Sequence, residues 1–168
     1  FMAAGKTSVG RALAKVTGRR FVDLDDVIAE GGEPVAELVA RDEADFRRLE
    51  SAALARVVDD AADGPIVATG GGCATFGDNL ARMRAAGLVV ALGVDVAEAQ
   101  ARAAGGPPRP LLANAAALAA RRSGGDLCAH SGFDTTGKSI HEFGRDVACV
   151  LGVCEGTRLL DATMLALG

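Results

Sequence analysis

Ala4-Gly5-Lys6-Thr7-Ser8, at the start of the 168-residue chain, is the back half of a loop that binds nucleotide phosphates. The full pattern is G-x-x-x-x-G-K-[ST], whose backbone N–H groups wrap phosphate oxygens. In that pattern Lys6 reaches the β- and γ-phosphates, and the Thr7 hydroxyl ligates Mg²⁺. Ala3, Ala4, Gly5 and Ser8 complete the expected cradle, with ATP and Mg²⁺ as its ligands. The first glycine of the pattern falls one residue before Phe1. An apolar-small run from Val9 to Val16 follows, as it must if a helix N-terminus points at the phosphates.

Four further groups carry chemistry. Asp23 and Asp25 form D-x-D at a predicted strand end, and alternation puts both side chains on one face. One carboxylate suits Mg²⁺ or its water and the other suits a substrate hydroxyl; the alternative is a solvated turn that opens an acidic helix. Arg47 and Glu50 stand i, i+3 in Phe46-Arg47-Arg48-Leu49-Glu50, so Glu50 could aim the Arg47 guanidinium at an anion, or the two form a surface ion pair. Gly70-Gly71-Gly72 follows a buried-type strand, where three glycines weaken local structure unless the backbone must approach something closely. At the carboxyl end of a parallel strand that something is usually a ligand, although an ordinary turn is the alternative. Gly105-Gly106-Pro107-Pro108-Arg109-Pro110-Leu111-Leu112 combines hinge glycines, stiff prolines and one guanidinium fork, which fits a closing lid as well as a linker. Arg121 and Arg122 offer a second cation.

The elements that must hold these groups alternate between strand and helix, which predicts an α/β domain with a parallel sheet. Helices are expected over residues 7–17, 34–40, 43–61 and 78–86, with another opening at Asp95 and a last one at Ser139. In the helix over 43–61, Phe46, Leu49, Leu54 and Val57 are expected on one side. Strands are expected over residues 21–25, 65–69, 88–92 and 131–135. A phosphate-binding loop joins a strand to a helix, and no strand precedes this one. The expectation is therefore a sheet short of its N-terminal central strand, roughly five or six residues plus a glycine, with an open slot left behind. Residues 1–150 are assigned to one kinase-like domain and 151–168 to a tail of unknown role.

Composition narrows the classes. The net charge of −4 gives no basic footprint for nucleic acid. No apolar run of about 18 residues or signal peptide is evident, so no membrane partner is expected. Cys73, Cys128, Cys149 and Cys154 lack zinc spacing and read as idle thiols of a reducing cytosol. His130 and His141 have no partner at metal or triad spacing.

Taken in order, F-M-A-A-G-K-T-S-V-G-R, F-V-D-L-D, F-R-R-L-E, G-G-G, R-P-L-L and a late F-D-T resemble the shikimate kinases, a P-loop family. The resemblance runs from Phe1 to about Val150. It implies a three-layer αβα P-loop fold and transfer of the ATP γ-phosphate to the 3-hydroxyl of shikimate, in a cytoplasmic monomer. It implies that Lys6 contacts the transferred phosphate and that Thr7 and Asp23 organise Mg²⁺. Asp25 would bind and orient the attacking hydroxyl. Arg47, fixed by Glu50, would pair with the shikimate carboxylate, and Gly70, Gly71 and Gly72 would line the pocket. Arg109 would belong to the lid and Arg102 would pack on adenine. A second carboxylate-binding arginine corresponds to Arg122 by helix register or to Arg121 by spacing from Asp134. Two alternatives stand beside this reading: another small-metabolite P-loop kinase, and a binding module that turns over poorly. The latter draws on Arg122-Ser123-Gly124-Gly125-Asp126, where the family has R-x-P-L-Y, and on a chain without tyrosine.

Overall fold

The structure, a computed structural model, describes residues 5–59, 64–95, 97, 101, 131–134 and 163–166. Helix α1 (Lys6–Thr17) is bracketed by two glycines in the left-handed region, Gly5 at φ 82° and Gly18 at φ 69°. A side chain at either place would be strained, so the glycines set where the helix starts and stops. Its buried apolar side chains, Val9 and Leu13, lie one turn apart on the face turned to the core. Strand β1 (Phe21–Asp23) follows, then α2 (Leu24–Ala29), α3 (Val35–Arg41) and α4 (Glu43–Asp59). Strand β2 (Ile66–Ala68) runs through the glycine turn into a 3₁₀ turn (Cys73–Thr75), α5 (Asn79–Ala86) and β3 (Leu88–Gly93). Asp95 accepts a bond of 2.9 Å from the Ala97 amide, and Ala97 and Ala101 are helical. Strands β4 (Ser131–Asp134) and β5 (Thr163–Ala166) complete the described elements.

The five strands form one sheet in the order β1-β2-β5-β3-β4, every pair parallel. Parallel strands are covered on both faces, which is why β2 and β3 are nearly continuous apolar runs. Ile66, Val67 and Ala68 are buried, as are Val89, Val90, Ala91 and Leu92. Helix α1 packs on β1 and β2, while α4 gathers α2, α3 and α5 around Phe46, Ala53, Leu54 and Val57.

Three expectations need correction. The strand expected over residues 21–25 stops at Asp23, because that residue caps α2: it is extended (φ −95°, ψ 121°) and its carboxylate accepts the Asp25 amide at 3.2 Å. Asp25 and Asp26 then sit in the first turn of α2, where the helix dipole favours acids. In α4 the buried set is Phe46, Glu50, Ala53, Leu54 and Val57, whereas Leu49 lies outside at 41% exposure. The third concerns the sheet's centre. The slot expected to be open between β2 and β3 holds β5, drawn from the segment assigned to a tail. Ile66 pairs with Thr163 on one side and Leu88 pairs with the same residue on the other. A short apolar strand there satisfies N–H and C=O groups that β2 and β3 would otherwise leave unpaired.

Candidate functional site

The carboxyl edge of the sheet brings the sequence's candidates together. Gly5 ends the loop and starts α1, so Lys6 and Thr7 project from the helix's first turn. The Thr7 hydroxyl donates to Asp23 Oδ2 at 2.8 Å, which joins the start of α1 to the end of β1. The other oxygen of the same carboxylate, Oδ1, accepts from the Asp25 amide. Asp23 is thus held from two sides before any ligand arrives. Asp23 caps the helix in whose first turn Asp25 stands, so the pair is not the strand alternation that D-x-D suggested.

Across from this pair stands Arg47 on α4. Its Nη1 donates to Glu50 Oε2 at 2.7 Å and its Nη2 to Glu43 at 3.2 Å. The Arg47 side chain is 12% exposed and that of Glu50 is fully buried, so this is no surface ion pair. The guanidinium carbon lies 5.1 Å from the centroid of the buried Phe46 ring. What makes room for it is the glycine turn. A Cβ on Gly72 would come within 2.7 Å of Arg47 Cζ, and one on Gly70 within 2.1 Å of Glu50 Oε1 and 3.9 Å of Asp25 Oδ1. The close approach that three glycines implied is therefore made first by the protein's own Arg47 and Glu50.

Burial pushes the Glu50 carboxyl above its ordinary pKa. Arg47 and Lys6 oppose the shift, and the Asp25 carboxylate adds to it. The Arg47 guanidinium is raised despite the cost of its burial, chiefly by the charge of Glu50. Among the described residues no donor reaches Glu50 Oε1. Lys6, Thr7, Asp23, Asp25, Arg47, Gly70 and Gly72 thus share one neighbourhood: a cation and hard oxygen atoms on the α1 side, and an oriented guanidinium on the α4 side. That division suits a polyphosphate at one end and a carboxylate-bearing, hydroxylated molecule at the other. Ala3, Ala4, Arg102, Arg109, Arg121 and Arg122, with the segment 105–112, lie outside the described residues.

Two supporting groups escaped the sequence. Glu43 is the second partner of Arg47, at i, i+4, and that spacing was available to find it. Asn79 is 1% exposed; its amide donates to the Cys73 carbonyl at 2.9 Å, and its carbonyl oxygen accepts from Ser51 at 2.6 Å. It ties α4, the 3₁₀ turn and α5 together under the glycines, where a lone asparagine gives no sequence signal. Asp78, at the N-terminus of α5, makes no side-chain capping bond. Cys73 is buried and free, its thiol pushed well up by desolvation and so kept neutral.

The family model described as shikimate kinase matches residues 2–141. The shikimate kinase of Geobacter metallireducens is 39% identical over 164 residues, covering 93% of this chain and 89% of its own length. That of Moorella thermoacetica is 39% identical over 154 residues, with 88% of each chain covered. Among solved structures, the shikimate kinase of Acinetobacter baumannii in complex with shikimate superposes with a TM-score of 0.79 at 27% identity, covering 92% of this chain and 91% of that one. The enzyme of Bacteroides thetaiotaomicron gives a TM-score of 0.76 at 28% identity, over 90% and 94% respectively.

Proposed function

This chain belongs to the shikimate kinase family, and from that premise we propose how its own residues carry the ATP-dependent phosphorylation of shikimate that defines the family. Lys6, Gly5, Ser8 and the neighbouring loop residues Ala3 and Ala4 cradle the phosphates. Thr7 and Asp23 hold Mg²⁺. Their two oxygen atoms converge at 2.8 Å and are the hard, sparse ligands that this ion takes alongside phosphate oxygens. When bound, the ion neutralises phosphate charge.

Arg47 pairs with the shikimate carboxylate, and Gly70, Gly71 and Gly72 form the floor beneath the ring. Asp25 accepts the proton of the 3-hydroxyl as its oxygen bonds to the γ-phosphorus. The bond from that phosphorus to the β,γ-bridging oxygen breaks, and ADP leaves. Transfer of this kind needs alignment and charge stabilisation more than covalent chemistry, so these residues suffice. Arg109 closes over the phosphates from the 105–112 lid, Arg102 packs on adenine, and Arg122 or Arg121 adds a second cation for the carboxylate. We place the enzyme in the cytoplasm as a monomer, with neither nucleic acid nor membrane as a partner. Among the described residues, no helix is long and apolar enough to cross a membrane.

The observation that carries the assignment of residues is the meeting of Asp25, Arg47 and Glu50 over glycines that admit no side chain. The test is a coupled ADP-release assay with shikimate and with its analogue lacking the carboxylate. Arg47→Lys should raise the KM for shikimate at least tenfold and leave the KM of the analogue unmoved, because a guanidinium fork becomes a point charge. Equal effects on both substrates would remove Arg47 from the carboxylate.

A further inference from the structure

We propose that Asn79 is a positioning residue for shikimate binding: it holds the glycine turn at the distance from α4 at which Arg47 can meet the substrate carboxylate. The proposal rests on the role assigned to Arg47 above and extends it to a buried side chain on another helix.

The bridge is made at both ends. Asn79, at the start of α5, is 1% exposed. Its carbonyl oxygen accepts from the Ser51 hydroxyl at 2.6 Å, and its amide donates to the Cys73 carbonyl at 2.9 Å. Each anchor is one step from a wall of the pocket. Cys73 follows Gly72 directly, and Ser51 follows Glu50 and stands one helical turn beyond Arg47. One side chain therefore ties the backbone of the turn to the helix face that carries the guanidinium.

Neighbouring bonds fix other things. The Cys73 amide donates to the Gly70 carbonyl at 3.2 Å, and the Thr75 hydroxyl donates to the Gly72 carbonyl at 2.9 Å. These set the shape of the turn and not its separation from α4. The ion pair of Arg82 with Asp59, at 3.8 Å, joins α5 to α4, but it lies at the far end of α4 with both side chains exposed. The apolar core around the bridge, Leu54 and Met83 included, attracts without direction, whereas a hydrogen bond fixes length and angle. The separation has little slack, because a Cβ on Gly72 would stand 2.7 Å from Arg47 Cζ. A misplacement of about 1 Å caused by a remote residue can cost about a hundredfold when the displaced group orients a substrate. A leucine has the same branched outline as an asparagine, so burial alone does not call for the amide. A buried polar side chain is costly unless its partners are met, and here both are.

Asn79→Leu and Ser51→Ala, each alone and each combined with Arg47→Lys, test this in steady-state ADP-release kinetics. Thermal melts by far-UV circular dichroism set an assay temperature at which every variant is folded. Asn79→Leu and Ser51→Ala should each raise the KM for shikimate by about fivefold or more and leave that for ATP within about twofold. In the Arg47→Lys background neither should add more than about twofold, because the fork they align is gone. A parental KM for shikimate in either single variant, or a matching rise in the KM for ATP, would overturn the proposal. So would effects that multiply in full with Arg47→Lys, which would mark the bridge as structural only. Ser51→Ala removes just the α4 end of the bridge, so it decides the matter alone if Asn79→Leu does not fold. A parental KM for shikimate in Arg47→Lys itself, where the bridge is intact, would defeat the carboxylate assignment and this proposal with it.

Discussion

Replacing Gly72 by alanine should damage shikimate recognition through a single methyl group. The backbone there is ordinary (φ −116°, ψ −1°), so no strain arises from the main chain. The obstacle is Arg47: the new Cβ would stand 2.7 Å from Cζ and Nη2 and 2.9 Å from Nη1. Unstrained contacts lie at roughly 3.5–4.0 Å, so the guanidinium must retreat by about 1 Å. A retreat of that size misaligns the 2.7 Å bond to Glu50 and withdraws the fork from the substrate carboxylate. A hydrogen bond to a charged group contributes about 1.5–3 kcal/mol, which predicts a KM for shikimate raised about 10- to 150-fold. Glu50, fully buried, keeps a poorer partner at a cost of about 1–3 kcal/mol, or a Tm lower by about 2–12 °C. The KM for ATP should stay within about twofold, since Lys6 and Thr7 are untouched. Steady-state kinetics in both substrates and a thermal melt give the answer. An unchanged KM for shikimate with a normal melt would refute the claim that the turn is glycine-rich to seat Arg47.

Asp25→Asn should cut turnover on the order of 10²- to 10⁴-fold and spare ATP affinity; a matching loss of ATP binding would move Asp25 to the metal. Glu50 has a folded pKa above its ordinary 4.5, so its contribution to stability is full below that value and is lost as pH rises through the folded value. The stability of the wild type minus that of Glu50→Gln, from urea melts across that window, should therefore fall as pH rises above 4.5; a flat difference would contradict the shift. Asn79→Ala strands the Cys73 carbonyl and the Ser51 hydroxyl in the core, and a loss of about 2–3 kcal/mol is expected in chemical denaturation.

Most helices and four of the strands were legible because apolar periodicity and glycine stops leave strong local marks, as at Gly5 and Gly18. The site was legible as a set of residue types, since phosphate and carboxylate chemistry restricts which side chains can serve. Three things resisted. The D-x-D pair is formed by a cap, because Asp23 satisfies the Asp25 amide more effectively than another strand residue would; local alternation does not reveal that competition. The glycine turn was read toward a ligand, whereas its nearest tenants are Arg47 and Glu50, which come from a distant helix. β5 was missed because a run of four residues announces a strand only when its partners are known, and both of its partners are far away in the sequence.

The position of β5 also orders events in time. Ribosomal synthesis proceeds from the N-terminus, so β2 and β3 emerge long before Thr163–Ala166 can lie between them. Until then β2 and β3 lack the strand that lies between them. Contacts of such long sequence range delay folding and lengthen exposure to aggregation. A ribosome that stalls before residue 163 would therefore release β2 and β3 without the strand that pairs with both. Chaperone dependence during translation, tracked by the yield of soluble protein as the elongation rate is slowed, should be pronounced for this molecule.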